Sequence, residues 1–314
     1  MSVTYERFAL AVSLLPRLSH ARSVILCTRM GTKVVPPRVT QASPPADTTT
    51  RMICDLSIPD RFDNVVETYI AYRTRYAPEL LDWLLAETRT GTAAHVLDLG
   101  CGPGFIANAL GPRVARVTGV DPSMSMIAAA RAEAPKNVTY HEGSSENLSI
   151  VKGPIDLVTM GRSFHWMDRP ATLENLNKRV AEHGALAILH DKPIKAPENL
   201  WWWTAQEVGK AHARPDPTSL HRMSDAWEPH ETVLHASAFS ELRRISVLSR
   251  HTWTFDSLLG HFLSRSGSTP EVIGADGIAA FEGALKEALL PFVEGPWETL
   301  NDHVALIARR PARP

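Results

Sequence analysis

An α/β fold, with a doubly wound, mostly parallel seven-stranded sheet and an inserted helical cap, is what the sequence predicts, on three observations. From Ile58 onward, short apolar runs alternate with stretches of helical periodicity, the pattern of parallel strands joined by crossover helices. One of these runs, His95-Val96-Leu97-Asp98-Leu99, passes without a break into three alternating glycines and then into a helical stretch. After Asp191 the alternation stops across a region rich in proline and tryptophan, and later resumes.

In chain order, strands are predicted at His95 to Leu99, Val114 to Val120, Asn137 to His141, Ile155 to Met160 and Ala185 to His190, with Ile245 to Phe255 and His303 to Ala308 completing the sheet. Helices are predicted near Phe105 to Leu110, Ser123 to Glu133 and Pro170 to Glu182. In the last of these, Leu173, Leu176 and Val180 fall three and four residues apart on one face, and Gly184 follows where a helix C-terminus favours a left-handed residue. These apolar residues are expected in the core. The stretch from Pro193 to His235 carries Trp201-Trp202-Trp203 and Trp227 and reads as an insertion or cap. Helix neighbours sit about 100° apart, so the three tryptophans cannot all face inward. One or two are expected to line a substrate cavity while the other packs on the sheet. Two further helical stretches reach Val293.

The chain has 314 residues, 44% hydrophobic and 21% charged, which suits one large globular domain and excludes disorder throughout. Lys plus Arg number 33 against 34 Asp plus Glu, so a net charge of −1 gives no general attraction to nucleic acid or anionic lipid. The expectation is no nucleic acid and no membrane partner. Cys27, Cys54 and Cys101 are too few and too scattered for a disulfide framework or thiolate metal cage, which fits a reducing, cytoplasmic compartment. Residues 1 to 51 differ from the rest, with seven basic residues against two acidic ones and a Ser/Thr/Pro-rich end. This head is read as mostly disordered. Phe8 to Leu15 could be a weak signal-peptide segment, the Arg-rich composition resembles a transit peptide, and a blander account places the true start near Met52.

The glycine turn, Gly100-Cys101-Gly102-Pro103-Gly104-Phe105, stands at the carboxyl edge of the sheet, where doubly wound folds bind ligands. Glycine there lets the backbone pass close to a ligand. A dinucleotide fingerprint needs glycine or alanine at position 105, and Phe105 argues against it. No Gly-Lys-Ser/Thr ending is present for a P-loop. Asp98 two residues ahead of the glycines, with Asp121 ending Val117-Thr118-Gly119-Val120-Asp121, instead resembles motif I and the second acidic position of class I S-adenosylmethionine-dependent methyltransferases. Taken alone, Asp121 could equally be a helix N-cap. Gly143-Ser144-Ser145-Glu146 stands where that family's adenine-edge loop falls, with serine in place of the usual carboxylate. Asp156-Leu157-Val158-Thr159-Met160 and Phe164-His165-Trp166-Met167-Asp168 resemble the small-molecule branch that includes UbiE-like and trans-aconitate-methyltransferase-like enzymes. Arg61-Phe62-Asp63 and Tyr72-Arg73-Thr74-Arg75-Tyr76-Ala77-Pro78 resemble that branch's lid, with Thr74 and Ala77 replacing the usual prolines.

The resemblance implies a Rossmann-like sheet, and together with the composition of the chain it gives a head (1–55), a cofactor-binding core (56–192), a substrate cap (193–240) and a sheet-completing end (241–314), the head and the cap being outside the resemblance. It implies S-adenosyl-L-methionine as cofactor, held by Asp98, Gly100, Gly102, Gly104, Asp121, Ser144, Ser145, Tyr72 and Arg73, and a small-molecule acceptor for the methyl group. His165, after the fourth strand, is the candidate general base, with packing beside Trp166 as the competing role. Tyr69 and Tyr76 are placed with the lid. No zinc-binding spacing occurs among the thirteen histidines, so no metal is expected, and His230 and His235 are read as surface residues. Gly161-Arg162-Ser163 stands in place of the tetrad used for nucleic-acid amino groups. The other reading left open is a regulatory or non-methylating protein that binds the same cofactor or its demethylated product.

Overall fold

The computed structural model describes residues 65–214, 217–292 and 295–312. The expected disordered head and the Arg61-Phe62-Asp63 motif lie outside the described residues. The lid segment supplies α1 (Val66–Tyr72) and α2 (Pro78–Thr88). Pro78 opens α2, its fixed φ suiting a first helical turn, and Leu80, Leu81 and Leu84 bury one face. The alternating core follows as β1 (His95–Leu99), α3 (Phe105–Leu110), β2 (Arg116–Asp121), α4 (Met124–Ala132), β3 (Val138–Glu142), β4 (Ile155–Gly161), α5 (Arg169–Asn177) and β5 (Val180–Pro193). Then come α6 (Leu200–His212), α7 (Pro217–Arg222), α8 (His230–His235), β6 (Glu241–Trp253), α9 (Phe255–Leu263), α10 (Pro270–Leu289) and β7 (Trp297–Arg309).

The seven strands form one sheet in the order β3-β2-β1-β4-β5-β7-β6. Pairing is parallel from β3 to β5 and antiparallel where β7 inserts between β5 and β6. The chain reverses its direction of winding between β1 and β4, and the crevice at that switch point is where open α/β sheets take ligands. Strand alternation sends Val96, Val117 and Leu157 into one core layer with Leu80 and Ile127, and Leu97, Leu99 and Val158 into the opposite layer with Leu173 and Leu176.

Two expectations change. The helix predicted to Glu182 ends at Asn177, and Val180 opens β5 opposite Ile155. The local periodicity is overridden from far along the chain, because the Arg310 guanidinium donates to the carbonyls of Asn177 and Ala181, at 2.8 Å each, and of Val180. Gly184 therefore caps no helix. It lies in a bulge where the register against β4 shifts, and a Cβ there would stand 2.9 Å from the Ile155 carbonyl oxygen.

The tryptophan triplet is the second change. Trp201 and Trp202 are buried with Trp253, Phe262, Phe281 and Leu285 in a third apolar cluster, which joins α6 to α9 and α10. The helical cap is thus assembled from two separate stretches of chain, one before β6 and one after it. The Trp201 and Trp203 indole N–H groups donate to the carbonyls of Glu298 and Ile194, fixing both rings as packing elements.

Replacing Gly184 with alanine is expected to destabilise the protein by about 1–3 kcal/mol, because the backbone carbonyls it would meet cannot rotate away. Urea denaturation should show a lower midpoint at unchanged slope, and an unaltered midpoint would mean that the bulge relaxes freely.

Candidate functional site

The Asp98 carboxylate lies beneath the glycine turn, 1% exposed. It accepts hydrogen bonds from the Thr159 hydroxyl on β4, at 2.7 Å, and from the Ala107 N–H in the first turns of α3, at 3.2 Å. It is therefore a brace between two strands and a helix, and it does not reach the cleft wall. Burial pushes its pKa up to about 7, against the opposing pull of those two donors. Above it, Gly100 and Gly104 take positive φ, and a Cβ on either would collide with Ser163 or Tyr140. Gly102, at φ +51, differs: a Cβ there would meet nothing within 4 Å. Its open side faces a cleft.

That cleft has a volume of about 290 Å3 and is lined by both Gly100 and Gly102, by Asp121 at the end of β2, and by Ser144 and Ser145 after β3. Leu99, Val120, Met126 and Met167 give it apolar flanks, and Tyr69 reaches it from α1. One Asp121 oxygen accepts from the Gly102 N–H at 2.8 Å and the other from the Ser123 N–H at 3.0 Å. Ser123 is itself the N-cap of α4, its hydroxyl accepting from the Met126 N–H. Asp121 is therefore not a helix cap. It holds the glycine turn against the tip of β2 and lines the cleft.

Gly161, Arg162 and Ser163 follow β4 and close the far end of the cleft. Arg162 adopts φ +57, a conformation that costs a non-glycine residue about 1–2 kcal/mol. What holds it there is a buried ion pair: its Nε donates to Asp191 at 2.7 Å and its Nη2 contacts the same carboxylate. The Arg162 guanidinium also donates to the Thr74 carbonyl, and the Thr74 hydroxyl donates to Asp191 at 2.7 Å. Burial would push the Asp191 carboxyl up, but Arg162 and the Thr74 hydroxyl outweigh it and hold it below the usual range. The ring of Tyr76 lies 4.7 Å from the guanidinium carbon. Sequence reasoning passed over Arg162 and Asp191; the signal available was a lone arginine straight after an apolar strand.

Asp121, Gly100, Gly102, Ser144 and Ser145 are brought together in the cleft, whereas Asp98 and Gly104 support it from behind. Tyr72 and Arg73 do not line it; they border a second cavity on the lid. The ring of His165 lies 5.2 Å from that of Trp166, and the cleft is lined by Trp166, Met167 and Asp168, not by His165. His230, expected at the surface, is half-buried and packs on Phe164 and Trp227. Phe105 opens α3 under a guanidinium, with Arg75 3.3 Å from its ring centre and Tyr69 beside it.

The raised pKa of Asp98 has a sign that can be checked. A carboxyl whose folded pKa lies above its unfolded value of about 3.9 contributes stability that is complete below pH 4 and is lost as pH rises through about 7. Asp98→Asn removes that dependence. The stability of wild type relative to the variant should fall between pH 5 and pH 8 by on the order of 2–3 kcal/mol, read from urea melts. A difference that stays constant with pH would show that Asp98 is not buried as an ionisable group.

Residues 96–184 match the family described as "Methyltransferase domain". An uncharacterized methyltransferase of Mycobacterium tuberculosis is 29% identical over 172 residues, 55% of this chain and 66% of the relative's length. The trans-aconitate 2-methyltransferase of Delftia acidovorans is 37% identical over 226 residues, 69% of this chain and 80% of that protein. Among solved structures, a candidate methyltransferase from an antibiotic biosynthesis pathway of Anabaena variabilis aligns with a TM-score of 0.50 at 14% identity, over 73% of this chain and 96% of that one, a likeness of fold. With 37% identity over an alignment that spans 80% of the Delftia protein, the chain belongs to the class I S-adenosylmethionine-dependent methyltransferases.

Proposed function

We propose that the protein moves a methyl group from S-adenosylmethionine to a small-molecule acceptor. The observation that carries this reading is the open side of Gly102 facing the same cleft as the Asp121 carboxylate. A backbone without a Cβ beside a carboxylate suits a ligand bearing vicinal hydroxyls, and the apolar flanks suit an aromatic base. In this reading Asp121 accepts from the ribose hydroxyls, Ser144 and Ser145 border the adenine, and Gly100 and Gly102 let the ligand lie against the turn. When bound, the cofactor supplies an electrophilic methyl group on a positively charged sulfur.

The chain's own contribution is chiefly orientation, which can be worth up to about 7–11 kcal/mol when a displacement is held in line. Arg162 and Tyr69 wall the cleft where the sheet meets the lid. Where the acceptor carries a proton, His165 is the side chain assigned to take it, one residue from the Trp166 that lines the cleft. The competing reading is a protein that binds the cofactor without transfer, and turnover separates the two. S-adenosylhomocysteine should accumulate with at least one acceptor from a metabolite panel, whereas tight binding with no product would favour the alternative.

Protein stripped of ligand should gain thermal stability with S-adenosylhomocysteine in proportion to the logarithm of its concentration over Kd. No shift at millimolar ligand would sink the reading. Asp121→Ala should weaken that binding at least about tenfold by calorimetry, since hydrogen bonds to a charged group contribute roughly 1.5–3 kcal/mol each. An unchanged Kd would leave Asp121 as a brace of the turn alone. His165→Gln should lower kcat by about 10²–10⁴ and remove a limb of the pH profile if the imidazole takes a proton. A retained pH profile would assign His165 to packing.

A further inference from the structure

Helix α2 begins without a side-chain cap, because the residue at its N-cap is Ala77. The N–H at that position is the group that a capping box satisfies from within a helix. Here it is satisfied from the sheet: the Ala77 N–H donates to Nδ1 of His303, on β7, at 3.4 Å. Both residues are buried, His303 with 2% of its surface exposed. Because Nδ1 accepts, the imidazole proton sits on Nε2 and is donated to the Ser249 hydroxyl oxygen of β6 at 2.8 Å. The Tyr76 ring meets that of His303 edge-on, 6.4 Å between centres. A neutral histidine in one tautomer thus joins the sheet to the start of α2.

Other hydrogen bonds fasten the lid beside this point. The Thr74 hydroxyl donates to Asp191, Arg162 donates to the Thr74 carbonyl, and the Tyr76 hydroxyl donates to the Leu189 carbonyl. Asp191 is held below the usual carboxylate range, and neither a guanidinium nor a phenol loses its proton near neutrality, so these bonds do not change between pH 5 and pH 7. His303 differs. The charged groups about it are Glu79 of α2, Asp191 of β5, Arg162 after β4 and Asp302 of β7, with His251 of β6 as a second neutral imidazole. Burial and Arg162 push its pKa down, and the three carboxylates do not reverse that. A proton added at Nδ1 turns the acceptor into a donor facing the Ala77 N–H. It also sets a positive charge at the N-terminus of α2, where the helix dipole opposes it.

We propose that His303 is an acid-sensitive fastening of the lid: neutral, it holds Ala77 and the start of α2 on the sheet, and protonated, it releases them. Once the segment lifts, the imidazole takes its ordinary pKa of about 6.5, above its value in the closed state. The fastening is therefore at full strength above about pH 6.5 and weakens as pH falls below it. A single proton raises the opening constant by at most about tenfold per pH unit. His303 does not line the cofactor cleft, so the inference stands apart from methyl transfer.

Hydrogen exchange of the full-length protein, followed by mass spectrometry from about pH 8 to about pH 4.5 and corrected for the intrinsic pH dependence of exchange, tests it. Peptides covering residues 74–80 should lose protection at least about tenfold across that range, while peptides of β1 and β4 keep theirs. His303→Asn leaves an oxygen near the place of Nδ1 and nothing to titrate, so the loss in residues 74–80 should shrink to less than about threefold. His251→Gln should keep the wild-type dependence. In the wild-type protein, nitrogen-15 spectra of the histidine rings should show His303 as the Nε2–H tautomer near pH 7.5, a readout that does not depend on either variant folding. Protection of residues 74–80 that is constant with pH, or that falls only together with that of β1 and β4, would overturn the proposal. So would a full pH dependence in folded His303→Asn, its loss in His251→Gln, or an Nδ1–H tautomer at His303.

Discussion

Where Arg162 and Asp191 meet, the end of β4, the end of β5 and the lid are made into one object. The pair is buried, so each charge is tolerated only because the other is present, and removing one partner of such a pair commonly costs 3–5 kcal/mol. Thr74 joins the pair through both its carbonyl and its hydroxyl, and Tyr76 closes over the guanidinium while its own hydroxyl donates to the Leu189 carbonyl. The left-handed backbone of Arg162 is the local cost of aiming that side chain across the sheet top instead of out to solvent. The lid is pinned at Thr74, and Tyr69, with the Arg73 guanidinium 5.1 Å from its ring centre, borders the cleft.

Two carboxylates at the ends of neighbouring strands illustrate how burial divides labour. Asp98 sits under the turn with its donors supplied by Thr159 and Ala107, and its chemistry is exhausted by holding strands and helix together. Asp121 makes comparable contacts to the backbone at Gly102 and Ser123 but stands at the cleft wall. The same residue type serves as brace in one place and as brace and cleft wall in the other.

The parts of this architecture that were legible in the sequence are those written in contiguous residues. A strand running into alternating glycines, and an acidic residue closing the next strand, are local patterns, and Asp121, Gly100 and Gly102 fall together in the cleft as that pattern expects. The strands could be counted because each contains a short apolar or alternating stretch, although β5, β6 and β7 run well beyond it. The Pro170 to Glu182 helix was overextended because its C-terminus is set by Arg310, more than a hundred residues away. The tryptophan triplet looked like a ligand wall because helix geometry says which side chains diverge, but not what α9 and α10 will bring against them. Arg162 and Asp191 were invisible as a pair for the same reason: nothing in either neighbourhood announces the other.

The shortest of the described lid elements is also the most exposed. α1 buries none of its own side chains and begins without a side-chain cap, so it is held by Tyr69 against Phe105, by the Tyr72 ring against Gly260 of α9 and by the Thr74 junction just beyond its end. A short helix with no fully buried side chain lies toward the low end of the molecule's local stability. Tyr69 borders one cavity and Tyr72 and Arg73 the other, so a single helix turn is common to both. Any occupant that orders α1 from one side lowers the entropic cost of ordering it from the other. Thermodynamic linkage makes that cooperation reciprocal, without any movement of the strands between them.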